Sequence, residues 1–247
     1  MSIYHHFAHV YDIFMAGVPY AEWADYIDNA LQASDIPKDG EGILDLACGT
    51  GNLTLLMAQK GYDMIGVDVS PDMLAEAQSK VDNTLFLMQD MRELELYGTV
   101  DAIYCSCDGL NYMLTEADFS TVLKKAALYL NPGGLFIFDL NTVYKYQNLL
   151  GEEIFTDTIK KSSYLWKNRY DSETCINEYR VSFFTKDTKG KPITFEEIHH
   201  QRAFDMETVT TLAQQAGFKE IKVFDNYSHN PPHDKSERLT FLAGKGI

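Results

Sequence analysis

The chain has 247 residues, of which 45% are hydrophobic, and its formal net charge at pH 7 is −15. The hydrophobic content is enough for a folded core and excludes an intrinsically disordered chain. The acidic balance argues against a nucleic-acid substrate, because a negatively charged surface repels a phosphate backbone. Neutral, cationic or zwitterionic small molecules fit this charge better.

Targeting, redox and metal signals are weak along the whole sequence. There is no apolar run of the roughly 18 residues or more that a membrane helix needs, and the first residues lack the basic start and apolar middle of a signal peptide. The cysteines have neither Cys-x-x-Cys spacing nor a nearby histidine: Cys48, Cys105, Cys107 and Cys175. We therefore expect a cytoplasmic protein with free thiols, no metal and no membrane partner.

The predicted elements begin with helix and then alternate between strand and helix. Apolar residues at three- and four-residue spacing predict helix over residues 1–37, interrupted at Pro19. The predicted strands of the alternating part are Ile43–Leu46, Tyr62–Val67, Leu85–Met88, Val100–Cys105, Leu135–Leu140, Phe218–Phe224 and Arg238–Ala243. The helices between them are predicted at Asn52–Gln59, from Ser70-Pro71-Asp72 onward, near Thr115–Leu130 and at Met206–Ala216. This alternation predicts an α/β fold whose sheet is mostly parallel, with helices on both faces.

Residues 151–204 break the alternation. They contain four consecutive predicted strands, Ile154–Lys160, Ser163–Asp171, Thr174–Lys186 and Ile193–Phe204. Short polar turns between them predict antiparallel hairpins. We expect an antiparallel β insertion after strand five that covers the substrate site. Residues 1–150 and 205–247 would then form the main domain, with 1–37 as a helical lid.

The most informative segment runs from Ile43 to Thr54. It predicts an apolar strand, a glycine turn and a helix start, in which Gly49 and Gly51 allow a sharp bend close to a ligand. Asp45 lies just before the turn. Asp68 ends the next strand, 17 residues beyond Gly51, a spacing that suits a carboxylate that accepts hydrogen bonds from a ribose diol. These residues predict a site for a cofactor that carries a nucleoside.

Three details favour S-adenosylmethionine over NAD as this cofactor. The third glycine of the dinucleotide fingerprint is missing. Asp45 would repel the phosphates of a dinucleotide, whereas it would attract an amino group. Asp90, after the third strand, provides an acceptor for an adenine amino group.

At these residues the chain resembles the class I S-adenosylmethionine-dependent methyltransferases, and it looks like their small-molecule, glycine N-methyltransferase-like branch. The resemblance covers about residues 40–145 and 205–247. It implies a Rossmann-like, seven-stranded sheet, S-adenosyl-L-methionine as cofactor, and methyl transfer to nitrogen or oxygen of a small molecule by in-line displacement. The cofactor-binding residues that it implies are Tyr11, Trp23, Asp45, Ala47, Gly49, Gly51, Asp68, Val69, Met73, Asp90, Met91 and Cys105.

Each implied residue has an expected role. Asp45, Ala47, Gly49 and Gly51 would line the methionine part, and Asp68 would hold the ribose hydroxyls. The adenine would pack on Val69 and Met73, and its edge would form hydrogen bonds with Asp90 and Met91. Cys105 would lie against the sulfonium. Tyr11 and Trp23 would fold over the cofactor.

The methyl acceptor and any general base stay open. Candidates follow strands four and five or lie on the insertion: Ser106, Asp108, Asn111, Tyr112, Asp139, Asn141, Tyr179, Arg180, His199, His200 and Arg202. His199 and His200 are adjacent on a predicted strand, so at most one of them points inward. A non-catalytic cofactor-binding module and an NAD-dependent oxidoreductase are the alternatives. The chain is expected to be a monomer or a homodimer.

Overall fold

A computed structural model describes residue 8 and residues 11–159, 162–186 and 190–246. The helices are α1 (Tyr20–Ala33), α2 (Asn52–Gln59), α3 (Pro71–Lys80), α4 (Glu116–Tyr129) and α5 (Met206–Ala216). The strands are β1 (Ile43–Leu46), β2 (Met64–Asp68), β3 (Leu85–Met88), β4 (Val100–Cys105), β5 (Leu130–Asn141), β6 (Ile154–Ile159), β7 (Ser162–Asp171), β8 (Ile176–Lys186), β9 (Pro192–Arg202), β10 (Phe218–Asp225) and β11 (Arg238–Lys245).

The main sheet has seven strands in the order β10-β11-β5-β4-β1-β2-β3. Strands β1 to β5 pair in parallel, whereas β11 is antiparallel to both β5 and β10. The predicted seven-stranded, mostly parallel sheet is therefore confirmed. The order reverses between β1 and β4, and ligands of open α/β sheets bind beyond the carboxyl ends of the strands at such a point.

Apolar side chains on the two faces of the sheet form two separate clusters. Along β1, Leu44 and Leu46 join the cluster that contains α4 and α5, whereas Ile43 joins the cluster that contains α1 and α2. This separation follows from the two-residue alternation of a strand, which sends successive side chains to opposite faces. Both faces are thus covered by helices, and the strand tips remain available for a site.

Local sequence signals set several helix boundaries. The hydroxyl of Thr115 accepts a hydrogen bond from the N–H of Asp118 at the start of α4, and the carboxylate of Asp205 accepts one from Thr208 at the start of α5. Gly217, with φ +110°, ends α5. Capping of this kind satisfies backbone groups that the helix itself leaves unpaired.

Several predicted strand boundaries are wrong. β5 begins at Leu130 instead of the predicted Leu135, and β2 begins at Met64 instead of Tyr62, whereas the other predicted strand ends agree within two residues. The predicted N-terminal helix is described from residue 11 onward and at residue 8; it is interrupted before Tyr20, as Pro19 predicted. The rest of that prediction, residues 1–7, 9 and 10, lies outside the described residues.

The segment between β5 and α5 forms a second sheet of four antiparallel strands in the order β6-β7-β8-β9, which confirms the predicted hairpins. We call this sheet the insertion. The N-terminal segment packs against it through Phe14, whose ring centroid lies 5.3 Å from that of Tyr164 and 5.2 Å from that of Phe183. Aromatic pairs at this separation stabilise the contact.

Candidate functional site

The turn after β1 contains three residues in the left-handed region, Ala47 (φ +65°), Gly49 (φ +54°) and Gly51 (φ +74°). A Cβ on Gly51 would lie 2.9 Å from the Cβ of Ala77 in α3, so this glycine is needed for packing as well as for conformation. A Cβ on Gly49 would meet nothing within 4 Å. The turn therefore packs on α3 at Gly51 and leaves open space at Gly49.

Asp68 connects the end of β2 to this turn. One carboxylate oxygen accepts a hydrogen bond from the N–H of Gly49 at 2.9 Å, and the other accepts one from the N–H of Ser70 at 2.9 Å. Burial raises the pKa of this carboxyl above its ordinary value, and the hydrogen bonds oppose that shift. Asp68 is thus fixed at the strand tip with hydrogen-bonding capacity left on both oxygens.

Asp45 is buried beneath the turn. Its carboxylate accepts hydrogen bonds from the hydroxyl of Thr54 at 2.5 Å and from that of Tyr104 at 3.0 Å. Burial raises its pKa to about 7. It borders a small cavity of about 40 Å³ that also touches Tyr11 and Tyr20.

Asp90 begins the short 3₁₀ turn Met91–Glu93. Its carboxylate accepts a hydrogen bond from the backbone N–H of Arg92 at 2.9 Å and pairs with the Arg92 guanidinium at 2.5 Å. These contacts lower the pKa of Asp90, so it is ionised at neutral pH.

A larger cavity, of about 660 Å³, opens between the strand tips and the insertion. Its strand-tip end is lined by Ala47, Gly49, Val67, Asp68, Val69, Ser70, Met73, Gln89, Asp90, Met91 and Arg92. Its insertion end is lined by Asp108, Tyr112, Asn141, Lys145, Leu150, Trp166, Tyr179, His199 and Gln201. Tyr11, Met15 and Ser106 also line it. Its volume is typical of a small-molecule site.

Most of the residues predicted to bind the cofactor come together at this cavity. Those in its lining are Tyr11, Ala47, Gly49, Asp68, Val69, Met73, Asp90 and Met91. Asp45 lines the adjoining small cavity. Among the described lining residues of both cavities, Trp23, Gly51 and Cys105 do not occur.

Packing accounts for the positions of these three residues. Trp23 is buried in the α1 face, with its ring stacked 4.6 Å from that of Tyr227 and the guanidinium of Arg238 lying 5.2 Å from its centroid. Cys105 is fully buried, and its sulfur lies close beneath Gly109. Gly51, as described above, faces Ala77 of α3 rather than the cavity.

The insertion end is built around Asp108. Cys107 (φ +61°) and Asp108 (φ +55°) are both left-handed, a conformation that strains residues with a Cβ and is frequent at functional sites. The carboxylate of Asp108 accepts a hydrogen bond from Arg238 at 2.9 Å and one from the side-chain amide of Gln201 at 2.8 Å. Arg238 also pairs with the fully buried Asp139. Asp108 is therefore held at the cavity wall from two sides.

Gln201 joins Asp108 to two tyrosines. The hydroxyls of Tyr146 and Tyr179 donate to its side-chain oxygen at 2.7 and 2.6 Å. Nearby, Lys145 donates to the side-chain oxygen of Asn141 at 2.9 Å. Sequence reasoning missed Gln201, Lys145, Arg238 and Trp166. Of these four, only Gln201 could have been inferred from the sequence. It follows His199 by two residues on the same predicted strand, and residues at that spacing lie on one face.

His199 and His200 point to opposite sides of the insertion, as the alternation predicted. His199 lines the cavity, and its Nδ1 lies 3.1 Å from the hydroxyl oxygen of Tyr112. His200 is on the other side and pairs with Glu178 at 3.2 Å. Burial lowers the pKa of His199 below its ordinary value.

The remaining candidates have structural contacts. Arg180 pairs with Glu196 at 2.9 Å, and Arg202 donates to the carbonyl of Leu114 at 3.2 Å. Asn111 is fully buried and donates to the carbonyl of Arg202 at 2.8 Å. None of these three is among the described residues that line the cavity.

The N-terminal segment is fastened over the glycine turn by Asp12. Its carboxylate accepts hydrogen bonds from Thr50 at 2.6 Å and Asn52 at 2.9 Å, and it pairs with Lys80 of α3. Tyr11 and Met15, on either side of Asp12, both line the larger cavity. This segment therefore forms one wall of the site.

The described part of the chain lacks two further features. No described helix combines the length and apolarity of a membrane span, and no three or more described histidine, cysteine, aspartate or glutamate side chains are grouped so that they could hold a metal ion.

Comparison with known proteins gives consistent matches. A family profile described as a methyltransferase domain matches residues 43–134. Over 98% of its length the chain is 36% identical to "Putative methyltransferase YqeM" of Bacillus subtilis (strain 168), and it covers 97% of that protein. The solved structure of a S-adenosylmethionine-dependent methyltransferase from Clostridium acetobutylicum ATCC 824 superposes with a TM-score of 0.88, at 31% identity and full coverage of both chains.

A third relative has a more specific name. It is the dTDP-3-amino-3,4,6-trideoxy-alpha-D-glucopyranose N,N-dimethyltransferase of Streptomyces venezuelae, 26% identical over 136 residues. The match spans 53% of this chain and 56% of that protein.

Proposed function

Because the chain belongs to the S-adenosylmethionine-dependent methyltransferases, we propose that it transfers the methyl group of S-adenosyl-L-methionine to the nitrogen of a small-molecule amine. The main support for an amine acceptor is the Asp108 carboxylate, which Arg238 and Gln201 hold at the insertion end of the cavity. A fixed carboxylate attracts an ammonium group and orients it through charge-assisted hydrogen bonds. The Streptomyces venezuelae relative, which is named for an amino-sugar substrate, supports an amine acceptor.

The strand-tip end of the cavity suits the adenosine part of the methyl donor. Each carboxylate oxygen of Asp68 has room for a further hydrogen bond, from a ribose hydroxyl. Val69 is 67% exposed although it is apolar, and it lies with Met73 and Met91 in the lining, so an adenine ring would cover it. Asp90 is an ionised acceptor for the adenine amino group.

The turn and the small cavity suit the methionine part. Gly49 leaves open space for the approach of a ligand to the backbone. Asp45, whose pKa is about 7, becomes a stronger partner when an ammonium group lies beside it, because a nearby positive charge favours the carboxylate form. Tyr11 and Ala47 border both cavities and would close this part of the site.

The donor, when bound, supplies a methyl group activated by a positively charged sulfur. The residues of the chain contribute alignment and the exclusion of water, and orientation of two reactants in this way is worth roughly 7–11 kcal/mol. Asp108 would fix the acceptor nitrogen. We further propose that residues 1–37 act as a lid and that residues 151–204 cover the acceptor, since Tyr11, Met15, Trp166, Tyr179 and Gln201 line the same cavity.

The test is a transfer assay with methyl-labelled S-adenosylmethionine and a panel that pairs each small primary or secondary amine with the alcohol of the same skeleton. We expect the methyl label to be transferred to the amines and not to the matching alcohols. Asp108→Asn should reduce transfer at least tenfold, because it removes the charge, while donor affinity stays within threefold. The exposed Asp82→Asn is the matched control and should leave both unchanged.

Label that appears in the alcohols, or full transfer by Asp108→Asn, would refute the amine assignment. Failure of any acceptor to gain label, in a protein that binds the donor tightly, would favour the non-catalytic cofactor-binding module instead.

A further inference from the structure

The wall of the insertion end contains a hydrogen-bonded pair of titratable side chains, Tyr112 and His199. The Tyr112 hydroxyl oxygen lies 3.1 Å from His199 Nδ1, and the two rings meet edge to face at 5.9 Å between centroids. Both residues line the larger cavity. Tyr112 comes from the 3₁₀ turn Gly109–Tyr112 that follows β4, and His199 comes from β9, so the pair joins the main sheet to the insertion.

An amine acceptor has to lose a proton before its nitrogen can attack the methyl group. Near neutral pH a small aliphatic amine is protonated, and its nitrogen then has no electron pair for attack. Asp108, already paired with Arg238 and hydrogen-bonded to Gln201, attracts the ammonium form without removing its proton. A general base near the nitrogen is therefore required.

The groups around His199 favour its neutral form. Burial and the neighbouring His200 lower its pKa, and Asp108 raises it to a smaller extent. Tyr179 stands opposite His199 in β8, and Glu197 precedes it by two residues on the same face of β9; burial raises the pKa of Glu197, which favours its neutral form. A neutral imidazole offers an acceptor nitrogen to the Tyr112 hydroxyl.

Resting on the amine function proposed above, we propose that Tyr112 and His199 together take up the proton that the acceptor loses before methyl transfer. The ammonium N–H gives its proton to the Tyr112 oxygen while the Tyr112 hydroxyl proton passes to His199 Nδ1. Tyr112 stays neutral, the imidazole becomes an imidazolium, and the acceptor nitrogen regains its electron pair. That pair then forms the nitrogen–carbon bond as the carbon–sulfur bond breaks and its electrons remain on sulfur. The imidazolium later releases its proton to solvent.

The first measurement needs no acceptor. In ¹⁵N-labelled protein bound to S-adenosylhomocysteine, imidazole correlation spectra at pH 7.5 should show His199 neutral, with hydrogen on Nε2 and none on Nδ1. Its titration midpoint should lie below the ordinary histidine value of about 6.5, and Tyr112→Phe should move the Nδ1 signal. A His199 that is charged at pH 7.5, or an Nδ1 signal that Tyr112→Phe leaves unchanged, refutes the proposed role of the pair. This holds even if no amine is ever methylated.

The second measurement uses an amine that the transfer assay identifies. His199→Gln and Tyr112→Phe should each lower kcat at pH 7 by at least about a hundredfold, the lower end of the effect of general base catalysis. The loss should shrink toward pH 10, where the amine is increasingly free of its proton. His233→Gln, at an exposed histidine in the loop between β10 and β11, is the matched control and should stay within twofold of wild type.

The pH profile separates this role from a structural one. A variant that merely distorts the cavity loses activity equally at every pH or weakens donor binding, and either result for His199→Gln contradicts the proposal. If the spectra show the neutral pair and the wild-type protein methylates only alcohols, the amine function is refuted, whereas the neutral, hydrogen-bonded Tyr112–His199 pair is supported.

Discussion

At the scale of single residues, the site depends on carboxylates whose surroundings differ sharply. Asp45 lies within β1, Asp68 ends β2 and Asp90 follows β3, and these three strands are neighbours in the sheet. Burial raises the pKa of Asp45 and Asp68, whereas the contacts to Arg92 lower that of Asp90. The same residue type thus serves as a buried acid, a fixed strand-tip acceptor and a paired surface anion.

Asp68→Asn should weaken binding of S-adenosylmethionine by roughly 10- to 150-fold, because a charge-assisted hydrogen bond contributes about 1.5–3 kcal/mol. Calorimetric titration measures this change. Asp63→Asn, at an exposed residue of the same type, is the control and should leave the affinity unaltered. A wild-type affinity in Asp68→Asn would mean that the ribose lies elsewhere; a parallel thermal melt distinguishes this from partial unfolding.

Asp45 should make the stability of the protein depend on pH between about 4 and 7. Its pKa is about 7 in the folded protein against 3.8 as the ordinary value, so the folded state binds the extra proton in this window. The contribution of Asp45 to the free energy of unfolding is complete below pH 4. This contribution, a few kcal/mol, is lost as the pH rises through 7. Denaturant unfolding of Asp45→Asn, compared with wild type at several pH values, should lack this decline. Identical pH dependence in both proteins would show that Asp45 does not titrate as described.

At the scale of elements, the glycine turn combines two constraints at Gly51. Gly51→Ala should reduce the free energy of unfolding by about 2–4 kcal/mol, from left-handed strain and the close contact with Ala77. Gly61→Ala is the matched control, because Gly61 also has a positive φ (+94°) but nothing within 4 Å of its added Cβ. It should lose only the strain component, about 1–2 kcal/mol. Equal losses in the two variants would argue against the packing role of Gly51.

The N-terminal segment should control how quickly the methyl donor leaves. Asp12→Ala removes an ion pair to Lys80 and hydrogen bonds to Thr50 and Asn52. We expect the dissociation rate of S-adenosylmethionine to rise about 5- to 100-fold in stopped-flow measurements, with little change in the association rate. Asp25→Ala, at an exposed residue of α1 whose partner Lys60 follows the end of α2, is the control. Unchanged dissociation in Asp12→Ala would show that the segment does not retain the donor.

At the scale of the whole molecule, the sequence predicted the strands and helices, which depend on the local periodicity of side chains. It did not predict the contacts between residues that are distant in the chain. Alternation of strand and helix predicted a mostly parallel sheet, and consecutive strands joined by short turns predicted the antiparallel insertion, because both patterns follow from side-chain periodicity. The Asp108 contacts join residues 93 and 130 positions apart in the chain, to Gln201 and Arg238. No local pattern identifies such pairs, since the folded arrangement alone brings them together.

The same limit explains the residues that belong to packing rather than to the cavity. Trp23 has the helical spacing of a residue that folds over a ligand, but it is covered by Tyr227 from the loop after β10. That loop is about two hundred residues away in the sequence. A buried aromatic and a ligand-covering aromatic therefore look alike until the long-range packing is known.

Every proposed role requires a methyl donor bound between the strand tips and the insertion, and a crystal structure with S-adenosylhomocysteine tests this most directly. We predict density for the adenosine beside Asp68, Val69 and Asp90, with the sulfur directed toward Asp108 and Tyr112. Density outside the 660 Å³ cavity, or a ribose out of reach of Asp68, would contradict the account.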